Sequence, residues 1–148
     1  MRRSLSTALL AVGIMTFSLV TALPAEAAAR MQIAAVQYDS PGQDRGGNGS
    51  LNAEWVKLRN TSRVPVNITR FRLHDRQGHT YRFPQTTVMP GKEITVHTGR
   101  GKNNPWHRYW GRTSYVWNNI GDGATLRDAH GRWLDGCGWG NGRGWVRC

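Results

Sequence analysis

The stretch EWVKLRN (residues 54–60) shows most directly how this chain folds. Val56 and Leu58 stand two residues apart, and the charged Lys57 and Arg59 alternate with them. Successive side chains of a β-strand point to opposite faces, so this alternation predicts a strand with one face in a core and the other in water. We predict that this strand runs from residue 51 to residue 59.

Similar short apolar patterns lie on both sides of this segment, with turn residues between them. Upstream, residues 31–38 predict a first strand and residues 41–50 a polar, Gly-rich loop. Downstream, strand signals occur at 66–73 with a bulge between Ile68 and Phe71, and then around Tyr81 and Phe83, Ile94 and Val96, Ala124 and Leu126, and Trp133 and Leu134. A long loop is expected from residue 99 to about residue 114. This pattern predicts an all-β, immunoglobulin-like two-sheet β-sandwich with no helix beyond the N-terminal leader.

The N-terminus has the composition of an export signal. Arg2 and Arg3 precede a mostly apolar, uncharged stretch from residue 5 to residue 23, and small residues around Ala27 suit a signal peptidase. We expect a Sec-type signal peptide over residues 1–27, with cleavage after residue 29 as the alternative, and a secreted, extracellular product without a transmembrane segment. A permanent membrane anchor is the competing interpretation of the apolar stretch.

Two cysteines, Cys137 and Cys148, lie close together near the C-terminus. Outside the cell they are expected to form a disulfide, and the glycines between them make ring closure easy. We therefore predict a sandwich domain over residues 31–137, followed by a Gly- and Trp-rich tail over 138–148 that the disulfide closes.

The chain is strongly basic, with 20 Lys and Arg against 9 Asp and Glu and a formal net charge of +11. Such a charge favours anionic partners, including nucleic acid and anionic cell-envelope polymers. Basic and aromatic residues alternate in the loop 102–112 and again in the tail, and aromatic rings stack on bases or sugars while arginines pair with phosphates. The candidate ligand contacts are Lys102, Trp106, Arg108, Tyr109, Trp110, Arg112, Arg143, Trp145 and Arg147. The competing interpretation is that the tryptophans pack beneath the loop as a hydrophobic plug.

A search for catalytic patterns finds no candidate set. The five histidines form no metal-ligand spacing, no G-x-S-x-G motif is present, and the few acidic residues lie mostly at turns. We expect no catalytic residue, no metal site and no cofactor.

Several segments, in order along the chain, resemble the lamin tail domain family over about residues 33–135. The resemblance rests on the strand segment at 54–60, on Pro90-Gly91 before the strand at 94–96, on the segment 117–122 and on the final hairpin. The residues that match the family pattern are Glu54, Trp55, Val56, Asn60, Pro90, Gly91, Trp117, Asn118, Asn119, Gly121, Asp122 and Asp135. From the residue types alone, 117–123 is a tight corner, and Asn118, Asn119 and Asp122 as Ca²⁺ or sugar ligands are the alternative.

The resemblance implies an immunoglobulin-like sandwich that binds or tethers. In nuclear lamins the domain is associated with chromatin and protein partners, and in bacteria it is often joined to nucleases or other secreted hydrolases. Here we expect a stand-alone, non-catalytic module for nucleic acid or an anionic envelope polymer. The alternatives are a structural or protein-protein interaction module at the cell surface and, third, a small secreted nuclease or other hydrolase.

Overall fold

The computed structural model describes residues 30–148, which form eleven strands and one short helix. In chain order they are β1 (Met31–Gln37), α1 (Asn48–Ala53), β2 (Trp55–Asn60), β3 (Val66–Asn67), β4 (Arg72–His74), β5 (Thr80–Arg82), β6 (Thr87–Val88), β7 (Glu93–His97), β8 (His107–Tyr109), β9 (Gly121–Arg127), β10 (Trp133–Gly140) and β11 (Trp145–Arg147). The expected signal peptide lies outside the described residues. Between residues 30 and 148 no helix has the length and apolar character needed to cross a bilayer.

A five-stranded sheet is built around β2, in the order β11-β1-β2-β7-β8. Val56 and Leu58 are fully buried on its inner face, whereas Lys57 and Arg59 lie on its outer face, as the alternation predicts. The strands pair antiparallel except β7 and β8, which run parallel. The sheet therefore has one face in the core and one face open to solvent.

A four-stranded sheet, in the order β10-β9-β4-β5, packs against the inner face of the first, and β3 and β6 form a small two-stranded sheet. Buried residues from both large sheets, among them Val36, Ile94, Leu73 and Leu126, form one continuous core. The predicted immunoglobulin-like β-sandwich is confirmed.

Aromatic rings cross this core in an unbroken series of contacts. Tyr38 stacks on Trp139 with 5.0 Å between ring centroids, and Trp139 meets Trp117 edge to face at 5.8 Å. Trp117 in turn contacts Trp110 at 5.9 Å, and Trp110 contacts Tyr81 at 5.6 Å. These three tryptophans act as a hydrophobic plug, so the packing interpretation applies to them.

Two elements contradict the sequence-based expectations. Residues 48–53 form a helix, so the polar loop and the first residues of the strand expected from residue 51 are wrong in this region. Residues 107–109, expected within a long loop, form β8 at the edge of the five-stranded sheet. Both elements are short, and neither has the apolar periodicity that marks a helix or strand in a sequence.

The expected strand over residues 66–73 is broken into β3 and β4. Arg70, between them, has a φ of 67°, in the left-handed region. The Arg70 amide donates to the carbonyl of Phe83, and the Phe71 amide donates to the carbonyl of Ile68. The predicted bulge is thus a complete turn, and it lets both Ile68 and Phe71 enter the core.

Cys137 in β10 and Cys148, directly after β11, form the predicted disulfide. The expected domain boundary at residue 137 is wrong, however, because β10 continues to Gly140 and β11 pairs antiparallel with β1. The expected tail is therefore an edge strand of the sandwich, and the disulfide links that edge to the opposite sheet.

Candidate functional site

The two basic, aromatic segments of the sequence lie at opposite edges of the same sheet. The loop segment contributes β8 to one edge, and the C-terminal segment contributes β11 to the other. The outer face of β1, β2 and β7 joins them. The candidate surface is therefore this outer face of the five-stranded sheet, a placement that neither segment indicates by itself.

One line of cross-strand neighbours on this face is rich in aromatic side chains. Strand register pairs Trp145 with Gln37, Gln37 with Trp55, Trp55 with His97, and His97 with Tyr109. We call these five residues the aromatic row. Cross-strand partners lie on the same face, so the row runs across all five strands.

A second line lies two residues away along the strands. Its register runs Arg147, Ala35, Lys57, Thr95 and His107, and we call these residues the basic row. Arg59 follows two residues beyond Lys57 on the same face and is exposed. The Lys57 ammonium lies 5.6 Å from the ring centroid of Trp55 and 3.2 Å from the Glu93 carboxylate. Positive charge thus runs alongside the aromatic row.

The rings of the aromatic row differ in how much of their surface is free. Trp145 is 52% exposed, and Trp55 is half-buried. His97 and Tyr109 stack on each other, with 5.0 Å between centroids and 19° between planes. In the described part of the chain, the two tryptophan rings are the ones in this row that stack on no other ring.

Two of the candidate contacts in the loop are internal. Arg108 is 8% exposed, and its guanidinium donates to the Thr86 hydroxyl at 3.1 Å and to the main-chain carbonyl of Asn104. Trp110 packs against the core through its ring contacts with Tyr81 and Trp117. The structure therefore contradicts Arg108 as a ligand contact and gives Trp110 a packing role.

The remaining candidates are accessible. Trp106 is 61% exposed, and Lys102, Arg143 and Arg147 are exposed as well. Tyr109 and Arg112 are partly buried, and Gly101 lies so close to the Tyr109 ring that a Cβ would clash at 2.4 Å. Loop residues 101–104 thus cover Tyr109 from one side.

His97 and His107 form a pair that the sequence analysis did not connect. His97 Nε2 lies 2.9 Å from His107 Nδ1, and His97 Nδ1 lies 2.7 Å from the carbonyl oxygen of Asn52 in α1. Burial lowers the pKa of His97. Within residues 30–148, no group of three or more His, Cys, Asp or Glu side chains is placed to hold a metal ion.

Acidic and basic side chains are distributed very differently. Of the acids in the described region, Glu54, Asp75, Asp122 and Asp128 are buried and hydrogen-bonded, whereas Arg108 is the one basic residue there that is buried. Half of the acids in residues 30–148 are thus used inside the fold, whereas every Lys and Arg there except Arg108 is at least partly exposed. The surface is therefore more positive than the composition suggests.

Glu54 shows how an acid serves the fold. It is fully buried, and its carboxylate accepts hydrogen bonds from the amides of Val116 and Trp117 at 3.1 and 2.9 Å. Burial raises its pKa to about 7. The carboxyl therefore joins the start of β2 to the segment that carries Trp117.

Asp122 organises the corner before β9. Its carboxylate accepts from the amides of Arg76, Asn118 and Gly123 at 3.1, 3.1 and 2.8 Å. Asn119 donates its side-chain amide to Asp39 at 3.0 Å. These side chains are already satisfied by the protein, which favours the turn over a ligand site.

The other residues that match the family pattern also fasten turns and strands. Asn60 is fully buried, and its amide donates to the carbonyls of Val64 and Val88 at 2.8 and 2.9 Å. Asp135 accepts from the Ile33 amide at 2.8 Å, which joins β10 to β1 beside the bulge in β1. Asn60 and Asp135 therefore stabilise the turns and strand contacts of the fold.

A family model, the Lamin Tail Domain, matches residues 24–141. This chain belongs to the lamin tail domain family. The match covers the corner at 117–122 and every strand of the described residues except β11, which lies beyond residue 141. No curated protein matches the chain.

The lamin tail domain is an immunoglobulin-like interaction module. The buried motif residues described above stabilise the fold of this lamin tail domain. Its candidate surface lies elsewhere, on the outer sheet face. Trp55 is the exception, since it is both a motif residue and a member of the aromatic row. The sequence contained a signal for this dual role in the alternation of Trp55, Lys57 and Arg59, but the neighbours on β1, β7 and β11 could not be read from it.

Proposed function

We propose that this lamin tail domain is a secreted, non-catalytic module that binds an anionic polymer, either nucleic acid or a polymer of the cell envelope. The observation that carries the proposal is the separation of charge: half of the acids in residues 30–148 are buried and bonded to the main chain, while every Lys and Arg there except Arg108 is at least partly exposed to solvent. Long-range attraction of a polyanion follows from such a surface. The disulfide is compatible with an extracellular location.

The proposal is tested with the purified protein, its disulfide intact, against a panel of polymers. The panel holds single- and double-stranded DNA, polyphosphate, a teichoic-type polymer and, as the uncharged control, dextran. We expect binding to polyanions at low salt, no binding to dextran, and a log-log fall in affinity as salt rises, because binding releases condensed counterions. Absence of binding to every polyanion, or affinity that salt does not change, overturns the proposal.

A matched pair of variants locates the surface. Arg59 on β2 and Arg82 on β5 are both exposed, but they lie on opposite sheets. Arg59→Gln is expected to weaken polyanion binding and to reduce the salt slope by about one. Arg82→Gln is expected to leave both nearly unchanged, and equal effects of the two variants contradict binding on the five-stranded sheet.

The alternative of a self-associating structural module makes use of the sheet edges. Three of the four edge strands of the two large sheets, β5, β8 and β11, are three residues long, which limits edge-to-edge pairing there, whereas the fourth, β10, is eight residues long. Sedimentation over a range of concentrations tests this alternative, and a mass that rises with concentration supports it. Gel analysis of the DNA recovered from the binding panel detects cleavage, which is the outcome expected of a hydrolase.

A further inference from the structure

The outer face of the five-stranded sheet combines free aromatic rings with positive charge in two parallel rows. This combination indicates which kind of anionic polymer the face suits, and this inference rests on the proposed function. Three features of the face carry it: the accessible rings, the spacing of the rows and the balance of charge.

The accessible rings are Trp55 and Trp145, which flank Gln37 in the aromatic row. The Gln37 amide donates to the main-chain carbonyls of Asp39 and Gly144 at 2.6 and 3.2 Å, so its side chain is engaged within the protein. Neighbouring strands are about 4.8 Å apart, which places the two tryptophan positions roughly 10 Å from each other. Among the described residues no other ring stacks on either tryptophan, and the Lys57 ammonium lies 5.6 Å from the Trp55 ring centroid, so a base that stacks on Trp55 lies beside Lys57.

The spacing between the rows suits a nucleotide. The basic row lies two residues from the aromatic row along each strand, a distance of roughly 7 Å. A base and its own phosphate are separated by one sugar, which spans a comparable distance. A base on Trp145 thus brings its phosphate near Arg147, and a base on Trp55 brings its phosphate near Lys57; Arg59, two residues further along β2, lies within reach of a neighbouring phosphate.

The charge on the face favours phosphates over neutral or cationic groups. Glu93 is the acidic residue among the outward positions of these strands, and Lys57 pairs with it at 3.2 Å. Arg147, Arg59 and the nearby Arg143 are exposed. Aromatic rings alone would also accept sugars, but the exposed guanidiniums of Arg147 and Arg59 on the same face favour a polymer that carries phosphates.

We propose that a single-stranded polynucleotide lies across the outer face of the five-stranded sheet, with bases stacked on Trp55 and Trp145 and phosphates paired with Arg147, Lys57 and Arg59. A duplex hides the flat faces of its bases, so it can use the basic row but not the aromatic row. The disulfide and the β1–β11 pairing hold Trp145 and Arg147 in place.

The test compares a labelled single-stranded oligothymidylate with an abasic oligomer of the same length and the same number of phosphates. Fluorescence anisotropy with the oxidised protein measures both affinities, and quenching of tryptophan emission reports stacking. We expect the oligothymidylate to bind more tightly than the abasic chain, the duplex or polyphosphate. Trp55→Ala and Trp145→Ala are each expected to weaken its binding by roughly 5- to 150-fold, the range typical for loss of one base-stacking ring.

The controls separate stacking from charge and from folding. Trp133→Ala removes a ring that is 59% exposed on the four-stranded sheet, and it is expected to leave binding unchanged. Trp55→Phe and Trp145→Phe keep a stacking ring and should retain most of the affinity. Arg147→Gln should weaken the abasic and the normal oligomer equally and reduce the salt slope by about one.

The outcomes distinguish this inference from the proposed function. If the oligothymidylate, the abasic chain and polyphosphate bind equally, and the tryptophan variants change nothing, stacking is overturned while polyanion binding stands. If an envelope polymer binds more tightly than the oligothymidylate and depends on Trp55 and Trp145, the polynucleotide is overturned as the occupant. If no polyanion binds at low salt, both proposals fall.

Discussion

The buried carboxyl of Glu54 leads to a prediction about stability and pH. Its side chain is fully buried, and burial raises its pKa from 4.5 to about 7. The folded state therefore holds the proton more tightly than the unfolded chain does. Between pH 4.5 and pH 7 unfolding releases this proton, so the Glu54 contribution to the free energy of unfolding falls as pH rises and is constant above about pH 7.

The size of this change follows from the shift in pKa. One pKa unit corresponds to about 1.4 kcal/mol, so the rise in the pKa of Glu54 from 4.5 to about 7 corresponds to about 3 kcal/mol between pH 4.5 and pH 7.5. His97 acts in the opposite direction, because burial lowers its pKa and protonation below about pH 6.5 then favours the unfolded chain. The pH dependence of the stability of the unmodified protein therefore combines both contributions and does not isolate that of Glu54.

Comparison with Glu54→Gln isolates the effect. Glutamine has nearly the same shape and no ionisable group, and its carbonyl can accept from one of the two amides that Glu54 contacts. We expect the unmodified protein to lose about 3 kcal/mol relative to this variant between pH 4.5 and pH 7.5. Urea unfolding at one-unit pH intervals, followed by tryptophan fluorescence, measures the two free energies.

A matched control and a clear contrary result complete this experiment. Glu93→Gln changes a carboxyl whose side chain is 40% exposed, and its effect should stay below about 1 kcal/mol at every pH. A difference between Glu54→Gln and the unmodified protein that stays constant from pH 4.5 to 7.5 would refute the reasoning. In that case the two amide hydrogen bonds outweigh burial and keep the carboxylate ionised in the fold.

Three further predictions concern stability. Cys148→Ser opens the ring between residues 137 and 148, and it is expected to lower the free energy of unfolding by about 3 kcal/mol. Amide hydrogen exchange in this variant should be faster at the β1–β11 pairing than in β2 and β7, and equal protection in both places would contradict a stabilising role of the disulfide at this edge. Trp117→Ala empties a core position that is 2% exposed, and urea unfolding should show a loss of about 3–5 kcal/mol in the free energy of unfolding. Trp133→Ala should cost far less, and similar losses for the two variants would argue against the ring series across the core. Arg70→Gly relieves the strain of a left-handed φ of 67°, and it should raise the free energy of unfolding by about 0.5–1 kcal/mol because this relief exceeds the entropic cost of ordering a glycine. An unchanged or lower melting temperature would contradict a strained backbone at Arg70.

Much of the sandwich could be predicted from local patterns. Val56 and Leu58 in β2, and Ile94 and Val96 in β7, alternate with polar residues because each strand has one face in the core. Local patterns failed where an element is short or where its pairing is distant. Helix α1 has a single buried residue, Leu51, and β8 has three residues paired in parallel with β7.

The candidate site was less predictable than the fold. The composition of the loop and the tail marked Trp145 and Arg147 correctly as accessible, but it also marked Arg108, which is buried against Thr86. An arginine in a polar loop is usually exposed, and only the packing of that loop over β8 shows the opposite. The sequence indicated Trp55 only as a residue of the family pattern. Its place in the aromatic row was not predictable, because its neighbours there come from distant parts of the chain.

The sequence by itself determined the all-β class, the alternating strands, the cysteine pair and the excess of positive charge. These properties depend on residues that are close in the chain or on composition alone. The tertiary structure decided which charges are buried, which tryptophans pack inside, and that β8 and β11 are the two edges of one sheet. The reason is physical: cross-strand neighbours are set by pairing between segments far apart in sequence, so the two rows on the outer face exist only once the sheet has formed.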